Sequence, residues 1–453
     1  MGRIGLAEAI HGGRQGDEIR HFLVDWGMRR SERPRRSFGR LPTCDFRATC
    51  VRQNRFSMKI LTYTSLFPNR MQPAHGVFVY QRMAHFARRP GNSVVVVAPV
   101  PWVPKFISAS NYRKVREIPH EEQIGELTVY HPRYLLVPRI SMPLHGLLMF
   151  LGSCGLARKL QREHGFAAID AHYVYPDGFA AALLGRLLAL PVVVSARGTD
   201  MNLFPRFRLI RPLIKWTLRQ VAAGIGVCAP LRDEMCKEGL PPERARVIGN
   251  GIDLQRFQPV DRAEALRRLG IPERATVLVA VGALIPRKGF HLLIPAFARI
   301  ARVRESCRLY IVGEGDQKKE LQALAIQHGV EERVSLVGAW KNEELRYWYS
   351  AGDLSCLVSS REGWPNVLLE SLACGTPVIA TRIWGVPEVI VSPELGVLVE
   401  QTVDSIAQGL TTALERTWNR ETLIQYARLR TWDVVAEEVE QCLASCLPPT
   451  GGK

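Results

Sequence analysis

The chain has 453 residues, 47% hydrophobic and 23% charged, a mixture that can bury about two to three ordinary cores and excludes a wholly disordered, collagen-like or coiled-coil protein. Its formal charge of +17 is unevenly spread: residues 1–57 hold 12 basic and 6 acidic side chains, 58–255 hold 25 and 13, and 256–453 hold 23 and 24. An anionic partner should therefore meet the front half. Ten cysteines without a C-x-x-C argue against a disulfide framework or a zinc ribbon and fit a cytoplasmic chain. No run of about 18 apolar residues predicts a membrane-spanning helix. The nearest, Leu144 to Leu156, is broken by Gly146, Gly152 and Gly155 and reads as a buried or interfacial helix.

Residues 1–57 carry clusters such as Arg29-Arg30 and Arg33-Pro34-Arg35-Arg36 without an apolar signal-peptide core, and read as a basic, disordered extension. Met58 runs directly into the strand pattern Lys59–Tyr63, which makes it the expected natural start; the intact mass of the native protein tests this. From there, short Val, Ile and Leu strands alternate with helical patterns. They fall at Ser93–Pro99, Pro191–Ser195, Gly224–Cys228, Thr276–Gly282, Arg308–Val312, Ser335–Gly338, Leu354–Val358 and Pro377–Ala380. Continuous apolar strands separated by helices predict parallel sheets covered on both faces. Two series, before and after Asn250–Leu269, predict two doubly wound domains, with ligands beyond the carboxyl ends of the strands.

The richest stretch follows Leu354–Val358, running from Ser359-Ser360-Arg361-Glu362-Gly363-Trp364-Pro365-Asn366-Val367 through Glu370-Ser371 to Gly375-Thr376-Pro377. A helix should begin near Pro365, stop at Gly375 and present its N-terminal N–H groups to an anion such as phosphate. Glu362 on the loop and Glu370 in the helix, with seven residues between them, can reach one ligand from different sides.

This E-G-x-P-N-x-x-L-E-S pattern resembles retaining nucleotide-sugar glycosyltransferases of glycosyltransferase family 4, over roughly residues 58–445. The resemblance implies an α/β chain with the GT-B fold, two Rossmann-like doubly wound parallel-sheet domains facing across a cleft. Residues 58–255 would form the acceptor-binding domain and 256–425 the nucleotide-sugar-binding domain. Residues 426–446 would cross back as a terminal helix, leaving 447–453 as a tail. It implies that Glu370 accepts from the ribose hydroxyls, that Glu362 meets the donor sugar, and that Gly363, Asn366 and Val367 lie against sugar or diphosphate. Arg287-Lys288-Gly289 after strand Thr276–Gly282 is similar to the family's K-G loop, whose cations would neutralise the departing diphosphate. None of the 13 aspartates lie two apart, so Asp-x-Asp is missing and fixed cations would replace a metal; no cofactor is expected.

Gly313-Glu314-Gly315, Asn250-Gly251-Ile252-Asp253 and Gly385-Val386-Pro387-Glu388 resemble further family turns, which implies donor contacts from Glu314 and Asn250. In the front half, His172 would hydrogen-bond the donor sugar. Ser195-Ala196-Arg197-Gly198-Thr199-Asp200 resembles a strand-end H-G-x-D in which Arg197 replaces His, so only Gly198 and Asp200 carry over. His75-Gly76 departs from the family's paired glycines; Gly76 is a donor or acceptor contact and His75 stays open.

The expected activity is transfer of a sugar to a glycan or lipid-linked acceptor in cell-surface glycan synthesis, without metal. Pro101–Phe106 and Tyr112–Arg116 interleave aromatic and basic residues, as an anionic membrane surface would require. A sugar phosphorylase or nucleotide-sugar epimerase on the same fold is the nearer alternative. Gly224-Ile225-Gly226-Val227-Cys228-Ala229 formally fits a dehydrogenase fingerprint, but it reads as the strand itself. No nucleic-acid motif accompanies the charge.

Overall fold

The computed structural model describes residues 57–102, 115–136 and 142–448. The basic extension up to residue 56, the tail from 449, and most of the Pro101–Phe106 and Tyr112–Arg116 stretches lie outside them.

The front domain contributes β1 (Lys59–Tyr63), β2 (Ser93–Val97), β3 (Val100–Trp102), β4 (Glu121–Ile124), β5 (Leu127–Tyr130), β6 (Arg133–Leu135), β7 (Ala168–His172), β8 (Val192–Ala196), β9 (Ala223–Gly226) and β10 (Ala245–Val247). Among the described residues, eight of these form one sheet in the order β10-β9-β8-β7-β1-β2-β5-β4, parallel except for the β4–β5 hairpin; β3 and β6 pair separately. The rear domain supplies β11 (Thr276–Val281), β12 (Cys307–Val312), β13 (Val334–Gly338), β14 (Leu354–Leu357), β15 (Val378–Thr381) and β16 (Gly396–Val399). Their order, β13-β12-β11-β14-β15-β16, is all parallel and is that of a doubly wound nucleotide-binding sheet.

The strand patterns read from the sequence appear within one or two residues of their predicted ends. Continuous Val and Ile runs such as Ser93–Val97 and Thr276–Val281 are buried because helices cover both faces. The predicted Gly224–Cys228 strand stops at Gly226, with Cys228 opening helix Ala229–Lys237. Side chains at Gly224 or Gly226 would meet Leu240 or the Arg232 backbone, so these glycines serve close packing and form no phosphate turn.

The last helix, Trp432–Ala444, turns away from the rear domain. Trp432, Val435, Ala436, Val439, Cys442 and Leu443 recur at helical spacing and enter the front domain's core. Glu440 accepts from Arg89 at 2.7 Å and Asn92 at 2.6 Å, and Asp433 pairs with His85 at 2.7 Å.

Candidate active site between the two sheets

In a doubly wound sheet the loops part where the strand order reverses, and a crevice opens there. The rear sheet reverses at β11 and β14, the front sheet at β1 and β7. These ends face each other across a cavity of about 760 Å³, lined by Gln72–Gly76 after β1, by Arg197, Gly198, Thr199 and Asn202 after β8, by Arg287 and Lys288 after β11, and by Arg361–Val367 after β14.

Gly289 has φ +73°, and a side chain there would collide with the Val358 carbonyl, so only glycine lets the Pro286–Lys288 turn lie against the end of β14. That approach brings Lys288 Nζ to 2.7 Å from Glu362 Oε1. Arg287 Nη1 stands 3.6 Å from Glu362 Oε2 and donates to the Arg361 carbonyl at 2.9 Å. Burial alone would raise the Glu362 carboxyl, but Lys288 and Arg287 outweigh it and hold it below the usual carboxylate range. The site thus contains a fixed carboxylate with two cations.

Asn366 and Val367 open helix Asn366–Ala373 at the cavity wall, where the helix N-terminus favours negative charge. Pro365 caps this helix from just outside. One turn on, Glu370 lines a smaller cavity of about 130 Å³ with Ile252, Asp253, Arg256 and Asn342, which shares Asn366, Ala74 and Phe78 with the larger one. Tyr349 donates to the Glu370 carboxyl at 2.8 Å, yet burial pushes that carboxyl up to about 7. Two glutamates from one motif therefore carry opposite shifts.

Gly76, at φ +64°, lies so close to the Leu66 carbonyl that a side chain could not be placed there. Beside it, His75 Nε2 is 3.1 Å from the Ser65 carbonyl, and burial lowers its pKa. Arg197 reaches across the front wall, donating to Asn250 Oδ1 at 2.9 Å and to His172 Nδ1 at 2.7 Å, with its guanidinium 5.2 Å over the Phe78 ring. Asn250 in turn donates to Asn366 at 3.1 Å, which joins the two domains across the cleft.

Three sequence expectations are corrected by position. His172 is fully buried beneath Arg197, with Nε2 3.3 Å from Asp170; burial lowers its pKa to about 4, so it is neutral and covered from the cavity. Asp200 is also fully buried and accepts from the Val174, Arg197 and Gly198 amides, which makes it the lock of its own loop. Glu314 is exposed, outside the cavity wall. Gly313 and Gly315 make room for the Gly282 and Leu284 carbonyls of the neighbouring loop. Glu388 of the G-x-P-E turn crosses to the front domain and accepts from the Ala229 amide at 2.8 Å.

Glu362, Gly363, Asn366, Val367, Arg287, Lys288, Asn250 and Gly76 converge on the main cavity, and Glu370 on the smaller one. Sequence reasoning missed Arg197, set aside because it departs from the family pattern, and Arg361, hidden as the residue before a stronger signal. Both line the cavity.

Residues 261–430 match the sequence model described as glycosyl transferases group 1, and residues 76–256 match glycosyltransferase family 4. This chain belongs to the group 1 glycosyltransferases. Among its relatives is TuaC of Bacillus subtilis (strain 168), a glycosyltransferase assigned to teichuronic acid biosynthesis. It is 28% identical over 373 residues, spanning 80% of this chain and 91% of TuaC. In fold, the enzyme resembles sucrose-phosphate synthase of Thermosynechococcus elongatus (TM-score 0.67, 20% identity, 85% of this chain and 98% of the other). It also resembles HepE of Anabaena, solved with UDP-glucose (TM-score 0.62, 20% identity, 86% of this chain and 100% of the other). The fold is thus GT-B, with the enzyme's cavity between its two domains. Among the described residues no helix is long and apolar enough to cross a membrane.

Proposed function

We propose that this glycosyltransferase is a retaining enzyme of family 4 that moves a sugar from a nucleotide-sugar donor to a glycan or lipid-linked hydroxyl in polysaccharide assembly, without a metal ion. The observation that carries this reading is the Lys288–Glu362–Arg287 cluster at the rear sheet's switch point, with the Glu370 cavity beside it and the front loops opposite. A departing nucleoside diphosphate gains negative charge as the glycosidic bond breaks, and preorganised cations stabilise that charge most where water is excluded. Lys288 and Arg287 would meet the diphosphate, Glu362 the sugar, and Glu370 the ribose hydroxyls. HepE, which shares the fold, holds UDP-glucose, and TuaC supports a role in polysaccharide assembly.

A thermal-shift screen against a panel of nucleotide sugars tests the donor, because a ligand that binds only the folded state raises stability with its affinity. A panel that leaves the transition unmoved would refute a nucleotide-sugar donor. Product analysis with donor alone and with donor plus acceptor separates transfer from phosphorolysis or epimerisation, and the anomeric configuration of the product tests retention. Activity should survive chelation; abolition by chelator with rescue by magnesium would contradict the metal-free reading.

A further inference from the structure

Arg197 follows β8 and lines the main cavity from the front, partly buried. Its guanidinium is fixed on three sides. Nη1 donates to Asn250 at 2.9 Å, Nη2 donates to His172 at 2.7 Å, and the Phe78 ring lies 5.2 Å away. A guanidinium can only donate, so His172 Nδ1 accepts and the proton of the neutral ring sits on Nε2, 3.3 Å from Asp170. Among the described residues no carboxylate pairs directly with this guanidinium, and its Nε–H, shut off from solvent, has no acceptor. Burial first, and then the charge of Arg82, hold it well below its ordinary pKa, which the charges of Asp170 and Asp200 offset only in part. A desolvated cation short of negative charge is stabilised when an anion joins it, and the planar N–H fork of arginine suits phosphate oxygens.

Position decides which part of a ligand this cation faces. A side chain at Gly363 would collide with the Arg197 carbonyl, so the Arg197 main chain lies directly against the Glu362–Gly363 loop. Asn250 passes the hydrogen bond on to Asn366, the first residue of helix Asn366–Ala373, at 3.1 Å. Arg197 lines the main cavity together with Lys288, Arg287 and Glu362, but not the smaller cavity that holds Glu370. With the ribose at Glu370, Arg197 therefore stands toward the far end of the nucleotide. There Lys288 and Arg287 share Glu362, which leaves that trio a single net positive charge. When the bond from sugar to phosphate oxygen breaks, its electron pair stays on that oxygen, and the terminal phosphate then carries about two negative charges. A further cation is needed to match it.

We propose that Arg197 is a catalytic residue that holds the terminal, sugar-bearing phosphate of the donor from the front domain, opposite Lys288 and Arg287. This assignment deepens the donor-site reading and rests on it.

The test uses the full chain at pH 8 and calorimetry with whichever of UDP, GDP or ADP binds it best, beside the monophosphate of the same base. The two ligands differ only in the terminal phosphate. Arg197→Gln and Arg197→His, the second restoring the His of the family's H-G-x-D, should each lower diphosphate affinity about tenfold or more, as loss of one charge-assisted contact would. Monophosphate affinity should change by less than about twofold. Diphosphate affinity equal to wild type in either folded variant overturns the proposal. So does an equal loss of monophosphate affinity, which would leave Arg197 a structural prop for Asn250 and Asn366. If none of the three diphosphates binds the wild type, the donor-site reading fails first and takes this assignment with it.

Discussion

At the scale of single residues, the two glutamates of one motif are separated by what surrounds them. Glu362 has Lys288 at 2.7 Å and stays ionised, whereas burial outweighs the Tyr349 hydroxyl and the charge of Lys288 at Glu370 and pushes it up to about 7. A cation beside a departing diphosphate interacts more strongly as charge develops, so Lys288→Ala should lower kcat and kcat/KM together. Loss of one charge-assisted contact is on the order of 1.5–3 kcal/mol. Steady-state kinetics with the screened donor reads this, and a variant as active as wild type removes Lys288 from the mechanism. Ribose contacts change little between ground and transition states, so Glu370→Ala should chiefly weaken donor binding. The raised Glu370 pKa adds a pH signature. Its folded value of about 7 lies above the ordinary 4.5, so its stability contribution is full below 4.5 and is lost as pH rises through 7. Ribose hydroxyls donating to the carboxylate select the ionised form, so nucleotide-sugar affinity should rise with pH by up to about tenfold per unit below 7 and level off above. Calorimetry at pH 6 and 8 checks this: Glu370→Gln should flatten the profile, and a flat wild-type profile contradicts the ribose role.

At the scale of elements, the parallel strands were legible because a buried strand needs an uninterrupted Val and Ile run, as Thr276–Val281 and Ser93–Val97 have. The β4–β5 hairpin was not, because Glu121–Ile124 is a polar edge strand with no apolar period. Within the site, Glu362, Lys288 and Arg287 could be found because each sits directly after a strand. The burial of His172 could not, because it depends on Arg197 closing over it from another strand. A local pattern places a residue at a strand end but not the neighbour that covers it. The final helix shows the same limit in energetic form: its apolar face is visible in sequence, whereas its target is a tertiary fact. Trp432 is buried in the front core, so Trp432→Ala should cost about 3–5 kcal/mol. A urea melt should show the front domain losing stability; an unchanged midpoint would mean that the helix is not anchored there.

At the scale of the whole molecule, the front domain carries the positive charge and also an apolar surface. On helix His145–His164, Leu147 is 41% and Leu151 58% exposed, four residues apart on one face. The same helix packs against β6, whose Leu135 pairs in register with Trp102 of β3, and that tryptophan is 51% exposed. Arg158, Lys159 and Arg162 follow on the helix. Exposed leucines and a tryptophan beside basic residues match what an interfacial element needs, with rings and aliphatic groups at the headgroup layer and cations toward anionic lipid. A lipid-linked acceptor would meet the enzyme at such a surface. We therefore expect salt-sensitive, peripheral binding to vesicles containing anionic lipid. Basic residues near such a surface contribute about 1 kcal/mol each, attenuated by salt over a Debye length. The apolar and charged contributions can be separated, because surface substitutions seldom move stability by more than about 0.5 kcal/mol. Leu147→Ser with Leu151→Ser should weaken flotation at both low and high salt. Replacing Lys105, Arg113, Lys114 and Arg116 by Gln should weaken it mainly at low salt. Flotation of the full chain and of a chain starting at Met58 reads both effects and shows whether the basic extension contributes. A protein that stays with the soluble fraction at low salt, or that floats equally well with all six side chains changed, has no membrane face here.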